Sequence, residues 1–188
     1  MQRGLEVANE KNGFRTEISD DAMAYLVELS EGYPHFIQQF AYSAFEEDTD
    51  KIIDLQDVLS GAYKDNGALA QLGSKYFNEM YYGKISSTDY RRVLNAMAKH
   101  SDKWVVRKLL VEQAGVKETT LNNALNVLKS KNVIISDDSR QGFYRLPTKS
   151  FAAWINAINS VAQTSGTDLH SLFDDGTGQK VAADPATH

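Results

Sequence analysis

The segment QAGVKETTLNNALNVLKSKNVI, residues 113–134, decides the fold of the back part of this chain. Gly115 can adopt the left-handed backbone conformation that a tight corner between two helices requires. Beyond the corner, apolar residues recur at the spacing of one helix face: Leu121, Ala124, Leu125 and Leu128. This pattern ends near Asn132. The segment therefore predicts two helices joined by a short turn, and the second helix buries its leucine face.

Apolar residues on either side of this segment extend the pattern. Upstream, one helix is predicted from Tyr90, Val93, Leu94 and Met97, and a second from Val106, Leu109 and Leu110. Downstream, VIISDDSRQGFYRLP (residues 133–147) predicts two short strands around a polar turn, ended by Pro147. A last helix is predicted from Phe151, Trp154, Ile155 and Ile158. The predicted order is three helices, a β-hairpin and a closing helix.

This order resembles the winged helix-turn-helix family, in which an Ala-Gly-Val corner precedes a helix packed by a Leu-x-x-x-Leu-x-x-Leu pattern. Here the corner is formed by residues 114–116, and the leucines are those named above. One residue departs from the family pattern, because Lys117 occupies the position where Ser or Thr usually caps the recognition helix. Thr119 or Thr120 is the alternative cap, which leaves the start of this helix open by one turn.

Polar side chains of this helix are candidates for contacting duplex DNA. Candidates for base contacts lie off the leucine face and are Thr119, Thr120, Asn122, Asn123 and Asn126. Asparagine can form two hydrogen bonds with adenine in the major groove. Candidates for phosphate contacts are Lys117, Lys129, Lys131 and, in the predicted hairpin, Arg140.

Charge supports a DNA partner for this part of the chain. Residues 86–160 carry 12 Lys and Arg against 6 Asp and Glu, a net charge of +6. One alternative interpretation is an ordinary solvated helix face. The other is a protein-interaction surface, since some winged helices bind proteins instead of DNA and a fold does not determine its function.

Residues 18–83 predict a helical bundle. Ser19 can cap its first helix, two aspartates follow in the first turn, and Gly32 can end the helix. Pro34, which lacks an N–H group, suits the first turn of the next helix.

Two further helices are predicted in this bundle. One follows Asp54, and the other covers about residues 68–82 with an inner face formed by Leu69, Leu72, Tyr76 and Met80. No strand is predicted before residue 130. Residues 1–85 carry 7 Lys and Arg against 15 Asp and Glu, so this part is acidic where the back part is basic.

The motif Ile-Ser-Asp-Asp-Ala (residues 18–22), followed after a helix by Ser-Glu-Gly-Tyr-Pro-His-Phe-Ile-Gln (residues 30–38), resembles the helical lid of AAA+ and STAND-type ATPases. That superfamily includes archaeal origin-recognition ATPases and bacterial ATP-binding proteins, and a winged helix often follows the lid. The resemblance covers residues 16–160.

The resemblance implies that four corner residues face the adenine of ATP or ADP held by a preceding ATPase domain: Gly32, Tyr33, Pro34 and His35. His35 departs from the pattern, because some lids place an arginine there. A plain helix corner with proline at the first helical position is the alternative.

Residues for phosphate-transfer chemistry are not found in the sequence. The Gly83-Lys84 pair precedes Ile85 instead of Ser or Thr, and Asn78 stands where a phosphate loop needs its first glycine. There are no cysteines, and the four histidines lack the spacing of metal ligands. We therefore expect no catalytic residue, metal or cofactor in this chain. ATP or ADP is expected only with an ATPase domain in cis or in trans.

The sequence as a whole predicts a mainly α-helical chain with four parts. These are a connector (1–17), a lid-like helical domain (18–83), a winged helix-turn-helix domain with a small β-hairpin (84–162) and a disordered tail (163–188). The sequence has no run of about 18 apolar residues and no secretory signal, which favours the cytoplasm and no membrane contact.

Three functions are compatible with this organisation. The principal hypothesis is a non-catalytic regulatory region of an AAA+/STAND-type ATPase whose winged helix contacts duplex DNA. The second is a protein-interaction or autoinhibitory module of the same ATPase. The third is a stand-alone dimeric transcriptional regulator, and the sequence leaves the oligomeric state open.

Overall fold

The computed structural model describes residues 2–13 and 15–165. Its α-helices are α1 (Gln2–Asn12), α2 (Asp20–Ser30), α3 (Pro34–Phe45), α4 (Leu55–Tyr63), α5 (Ala68–Leu72), α6 (Thr88–Ala98), α7 (Arg107–Ala114), α8 (Glu118–Ser130) and α9 (Lys149–Ser165). Its strands are β1 (Glu17–Ile18), β2 (Ile52–Ile53), β3 (Val105–Val106), β4 (Ile135–Ser136) and β5 (Phe143–Arg145). Two π-helical segments, Gly73–Phe77 and Glu79–Gly83, follow α5. The described chain is mainly helical with two small sheets.

Helices α2, α3 and α4 form a bundle in the front half of the chain. Leu26, Phe40 and Val58, one from each helix, are each 1% exposed at its centre. The predicted cap of α2 is confirmed, because the Ser19 hydroxyl accepts a hydrogen bond from the backbone N–H of Ala22 at 3.4 Å. Local sequence therefore starts this helix, and burial of its apolar face holds it in the bundle.

A two-stranded parallel sheet closes the front bundle and contradicts the prediction that no strand precedes residue 130. In this sheet β1 pairs with β2, with Glu17 opposite Ile52. The backbone N–H of Glu17 donates to the carbonyl of Lys51 at 2.9 Å. Each strand is two residues long, which is too short to show the alternation by which strands are recognised in a sequence.

The N-terminal segment, predicted as a polar connector, contains the unpredicted helix α1. Its few apolar residues show little helical periodicity, but Leu5 packs against the core. The side chain of Asn9 donates to the carbonyl of Thr16 at 2.9 Å and accepts from the N–H of Thr16 at 2.8 Å. These two hydrogen bonds fasten α1 to the segment that leads into β1.

The predicted fourth helix is present, but its winding changes at Gly73. From there the backbone N–H groups that end the two π-helical segments bond to carbonyls five residues earlier. The wider turns shift the inward positions by one residue. Phe77 and Tyr81 are buried, whereas the predicted inner residue Tyr76 is 37% exposed.

The back half contains the predicted hairpin of β4 and β5, together with a third strand that was not predicted. Strand β3 pairs antiparallel with β5, with Val105 opposite Tyr144, so the strand order is β3-β5-β4. Val106 was predicted to lie in the second helix, and this is wrong because it lies in β3 and α7 begins at Arg107. Adjacent valines favour an extended backbone, and the pairing with β5 stabilises it.

Aromatic side chains join the two halves into one core. The ring of Trp154, in α9, lies 5.8 Å from that of Phe77 and 5.6 Å from that of Tyr81, measured between centroids. Phe151 stacks with Trp154 at 6.1 Å and an interplanar angle of 13°. Gly73 permits the close approach, because a Cβ atom there would collide with the indole ring of Trp154. Helix α9 is therefore part of both halves.

The predicted closing helix is confirmed and continues to Ser165. The rest of the predicted disordered tail, residues 166–188, lies outside the described residues. Within residues 2–13 and 15–165, no helix is both long enough and apolar enough to cross a membrane.

Candidate nucleic-acid interface

Helix α8, the predicted recognition helix, begins at Glu118, directly after the corner. Gly115 has φ = 62°, which confirms the predicted left-handed residue. Lys117 occupies the capping position with an extended backbone, and its side chain makes no capping hydrogen bond. The alternative cap, Thr119 or Thr120, is not used, because both residues lie within the first turn of α8. The carboxylate of Glu118 instead lies near the positive end of the helix dipole.

The two faces of α8 differ as the sequence predicts. Its inner face is buried in the core and consists of Leu121, Ala124, Leu125 and Leu128. On the other side, the exposed candidates are Lys117, Thr119, Asn122, Asn123, Asn126 and Lys129, while Thr120 is half-buried. The helix therefore presents amide groups to solvent in its middle and a lysine near each end.

Arg107, which was not predicted as a site residue, lies against this exposed face. Its Nε donates to Oδ1 of Asn122 at 2.8 Å, and its Nη2 forms an ion pair with Oε1 of Glu118 at 2.7 Å. These contacts fix the start of α7 to α8 and neutralise the positive charge of Arg107. The side-chain oxygen of Asn122 is also occupied by the hydrogen bond from Arg107. The side-chain amides of Asn123 and Asn126 are therefore the best placed to contact a binding partner.

The tip of the hairpin is shaped by Asp137. Its carboxylate accepts hydrogen bonds from the hydroxyl of Ser139 at 2.6 Å and from Nε of Arg140 at 2.6 Å. These hydrogen bonds lower the pKa of the Asp137 carboxyl to about 2, and the bond from Ser139 has the largest effect. The predicted phosphate contact Arg140 is therefore already paired with a carboxylate.

A second group of residues surrounds Trp104 beside the hairpin, and of its members the sequence singled out Arg140 alone. The side chain of Trp104 is 37% exposed, and the guanidinium groups of Arg145 and Arg140 lie 5.3 and 5.8 Å from its ring. Arg140 also lies 4.7 Å from the ring of Phe143. The only signal in the sequence is a tryptophan within a polar stretch. We name these four residues the arginine–aromatic cluster.

The two remaining candidate lysines have different surroundings. Lys129 is exposed near the end of α8. Lys131 follows α8 and forms two hydrogen bonds with Lys84. The ammonium group of Lys131 donates to the backbone carbonyl of Lys84, and the ammonium group of Lys84 donates to the backbone carbonyl of Lys131 at 3.2 Å. Lys131 thus contacts the segment that joins the two halves, whereas Lys129 faces solvent.

The proline corner lies in the front half, between α2 and α3. Helix α2 ends at Ser30 with Glu31 (φ = 48°) as its left-handed cap, and the predicted stop residue, Gly32 (φ = 77°), follows this cap. Pro34 is the first residue of α3, as predicted. Gly32, Tyr33 and Pro34 are exposed. His35 is half-buried, with its ring 5.5 Å from that of Tyr76 in an edge-to-face arrangement.

An apolar groove of about 470 Å³ begins at this corner and runs between α1, α2 and α3. Pro34 and Ile37 line it from α3, and Ile18 and Met23 line it from the start of the bundle. Of the four corner residues, Pro34 is the one that lines the groove.

Two glutamates, Glu28 in α2 and Glu31 at its C-cap, tie the corner to the back half. The carboxylate of Glu31 accepts from the backbone N–H of Lys149 at 2.6 Å, and Glu28 forms an ion pair with the Lys149 ammonium at 2.7 Å. Lys149 is the first residue of α9, so the carboxylate of Glu31 also lies near a positive helix end. Burial nevertheless outweighs these contacts and raises the pKa of the Glu31 carboxyl above its usual value of 4.5.

This raised pKa predicts that Glu31→Gln does not destabilise the protein at neutral pH. The folded protein binds the Glu31 proton more tightly than the unfolded chain does, so protonation of Glu31 stabilises the folded state. This contribution to stability is complete below pH 4.5 and is lost as pH rises through the folded-state pKa. A glutamine keeps an oxygen for the Lys149 N–H without the buried charge. We expect its Tm, measured by circular dichroism, to equal or exceed that of the wild type at pH 7.

The difference in Tm should shrink as the pH is lowered below 4.5, because the wild-type carboxyl is then protonated. Glu28→Gln is the matched control, since it removes an exposed ion pair on the same helix and should give no gain. A clear loss of Tm in Glu31→Gln at pH 7 would contradict this interpretation of the contact.

No group of three or more His, Asp or Glu side chains in the described part of the chain is arranged to hold a metal ion.

No protein-family model matches the sequence, and neither curated proteins nor solved structures gave a significant match. Function is therefore inferred from the residues and their geometry.

Proposed function

We propose that this chain is a non-catalytic regulatory region of an AAA+/STAND-type ATPase, in which residues 84–162 form a winged helix-turn-helix domain that contacts duplex DNA. The observation that carries the proposal is the orientation of α8, whose leucine face is buried while Asn123 and Asn126 are exposed. The order of α6, α7 and α8, followed by the β4–β5 hairpin and α9, supports the assignment.

The dimensions of α8 suit the major groove. Lys117 and Lys129 are twelve residues apart, which corresponds to about 18 Å along a helix. The major groove is about 12 Å wide, so lysines near the two ends of a helix lying in it reach phosphates on both sides. Asn123 and Asn126, between them, face the base edges, where asparagine pairs with adenine.

The hairpin supplies a further contact to the DNA backbone. Arg140 and Arg107 are paired with carboxylates, so they attract phosphate weakly. Arg145 is held against Trp104 and forms no ion pair within the described residues. Phosphate attraction is therefore assigned mainly to Lys117, Lys129 and Arg145.

Residues 18–83 are proposed to act as the lid of the ATPase. Support comes from the apolar groove beside Pro34, whose lining suits the flat aromatic faces of a group such as adenine. ATP or ADP would be held by an ATPase domain in cis or in trans, since the Gly83-Lys84 pair lacks the rest of a phosphate loop.

A specific observation favours a second function, a protein-interaction or autoinhibitory module of the same ATPase. Arg107 and Arg140 lie on the face assigned to DNA, yet each is neutralised by a neighbouring carboxylate. A surface whose charges are balanced in this way also suits a protein partner.

Fluorescence anisotropy with a labelled duplex tests the DNA function. We expect binding at low salt, with log K falling linearly against log [salt] at a slope of about −3, as three phosphate contacts imply. Absence of binding at low salt would contradict the proposal. Assembly with an ATPase domain in that case would favour the second function.

A further inference from the structure

A polar cleft of about 560 Å³ lies between α6 and α9, at the opposite end of α7 from strand β3. Its polar lining includes Arg92 and Asn95 from α6, Lys99 at the C-cap of α6, Gln113 from α7, and Asn156 and Asn159 from α9. None of the described residues that line it is Asp or Glu. Ala114 and Gly115, at the corner before α8, also line the cleft.

The residues that face this cleft are unusual for a contact between two helices. Positions 92, 95 and 99 lie on one face of α6, and positions 156 and 159 on one face of α9. Helix faces that meet inside a protein are normally apolar, as the neighbouring Val93 and Met97 are. Two polar faces opposite each other therefore indicate a site that holds water or a polar ligand.

Hydrogen bonds hold the floor of the cleft in place. The hydroxyl of buried Tyr81 donates to Oδ1 of Asn95 at 2.7 Å, and Nδ2 of Asn95 donates to Oδ1 of Asn159 at 3.1 Å. Nδ2 of Asn159 in turn donates to the carbonyl of Ile155 at 2.7 Å. Each amide group is oriented by the next, so the floor is preorganised.

The rim of the cleft carries two positive charges. Arg92 contacts Asp89 at 3.4 Å, but both side chains are more than half exposed, so this pair is weak. Lys99 is exposed and forms no ion pair with any described residue. The two residues are seven positions apart, about 10 Å along α6.

Two amides beside the rim have groups left for a ligand. Gln113 uses its Oε1 in a contact with Nε2 of His100 at 2.8 Å, which leaves its NH₂ group as a donor. Asn156 uses its Nδ2 to reach the carbonyl of Ala98 at 3.0 Å, which leaves its oxygen as an acceptor.

We infer that this cleft binds a small phosphorylated ligand, with the phosphate held by Arg92 and Lys99 and polar groups of the ligand on the asparagine floor. Arginine and lysine are the residues that bind phosphate in proteins, and Arg offers it two parallel hydrogen bonds. The volume lies within the range of small-molecule sites. Because Gly115 borders the cleft, the bound ligand contacts the corner that sets the direction of α8.

Isothermal titration calorimetry with inorganic pyrophosphate, at constant ionic strength, tests this site. We expect saturable binding to the wild-type protein with a Kd of about 1 mM or lower. Arg92→Ala combined with Lys99→Ala should weaken it at least about tenfold, because charge-assisted hydrogen bonds are lost. The matched control combines Lys103→Ala with Lys108→Ala, which removes two exposed positive charges from the same half and should leave the Kd unchanged.

All four substituted side chains are exposed, so both variants should fold, which a circular dichroism melt verifies. Absence of saturable pyrophosphate binding to the wild-type protein would overturn the inference, and so would an equal loss of affinity in both variants. The titration contains no DNA, so its outcome is independent of whether α8 binds a duplex.

Discussion

Changing both Lys117 and Lys129 to Glu is expected to weaken duplex DNA binding by about two orders of magnitude or more. Hydrogen bonds to charged groups contribute about 1.5–3 kcal/mol each, and the reversed charges also repel phosphate. Both lysines are exposed near opposite ends of α8. Neither forms an ion pair within the described residues, so their removal disturbs no internal contact of that kind. Anisotropy titrations at low salt measure the change.

A charge-matched control separates a local contact from a general effect of net charge. Lys11→Glu combined with Lys75→Glu introduces the same change in net charge on exposed positions of the front half. We expect this variant to retain most of the wild-type affinity. If the two double variants lose affinity equally, α8 is not the DNA-contacting element.

Replacing Trp154 with Ala is expected to lower the free energy of unfolding by about 3–5 kcal/mol, as is typical when a buried tryptophan is removed. Its ring is 3% exposed and contacts aromatic residues from both halves of the chain, including Phe77 and Tyr81. A domain of this size is stable by about 5–15 kcal/mol, so the loss is a large fraction of the total. Urea unfolding followed by circular dichroism measures it.

The second tryptophan of the chain provides the control. Trp104 is 37% exposed beside the hairpin, so Trp104→Ala should change the free energy of unfolding by less than about 1.5 kcal/mol. It should instead weaken DNA binding, because Arg145 loses the ring that holds it. Equal destabilisation by the two substitutions would contradict the placement of Trp154 at the centre of a core shared by both halves.

Features set by neighbouring residues were predictable from the sequence. The cap of α2 at Ser19, the left-handed corner at Gly115 and the leucine face of α8 each depend on side chains within about one helical turn. Sequence periodicity alone therefore located the exposed asparagine face. The sequence left the start of α8 open by one turn, because the side chain of Lys117 at the cap position is not one that normally makes a capping hydrogen bond.

Features that depend on distant partners were not predictable. Strands β1, β2 and β3 are two residues long and exist through pairing with remote segments. The π-helical winding begins at Gly73, which packs against Trp154, 81 positions later in the sequence. In the candidate site, the ion pair of Arg107 with Glu118 and the contact of Arg145 with Trp104 likewise join residues whose proximity only the fold reveals.

Side-chain amide signals of α8 in ¹H–¹⁵N NMR spectra, recorded while duplex DNA is added at low salt, test the DNA proposal most directly. If the outer face of α8 contacts the bases, the NH₂ signals of Asn123 and Asn126 shift and saturate, while that of the exposed front-half residue Asn66 stays in place. Unchanged signals for Asn123 and Asn126 at saturating DNA would contradict the proposal.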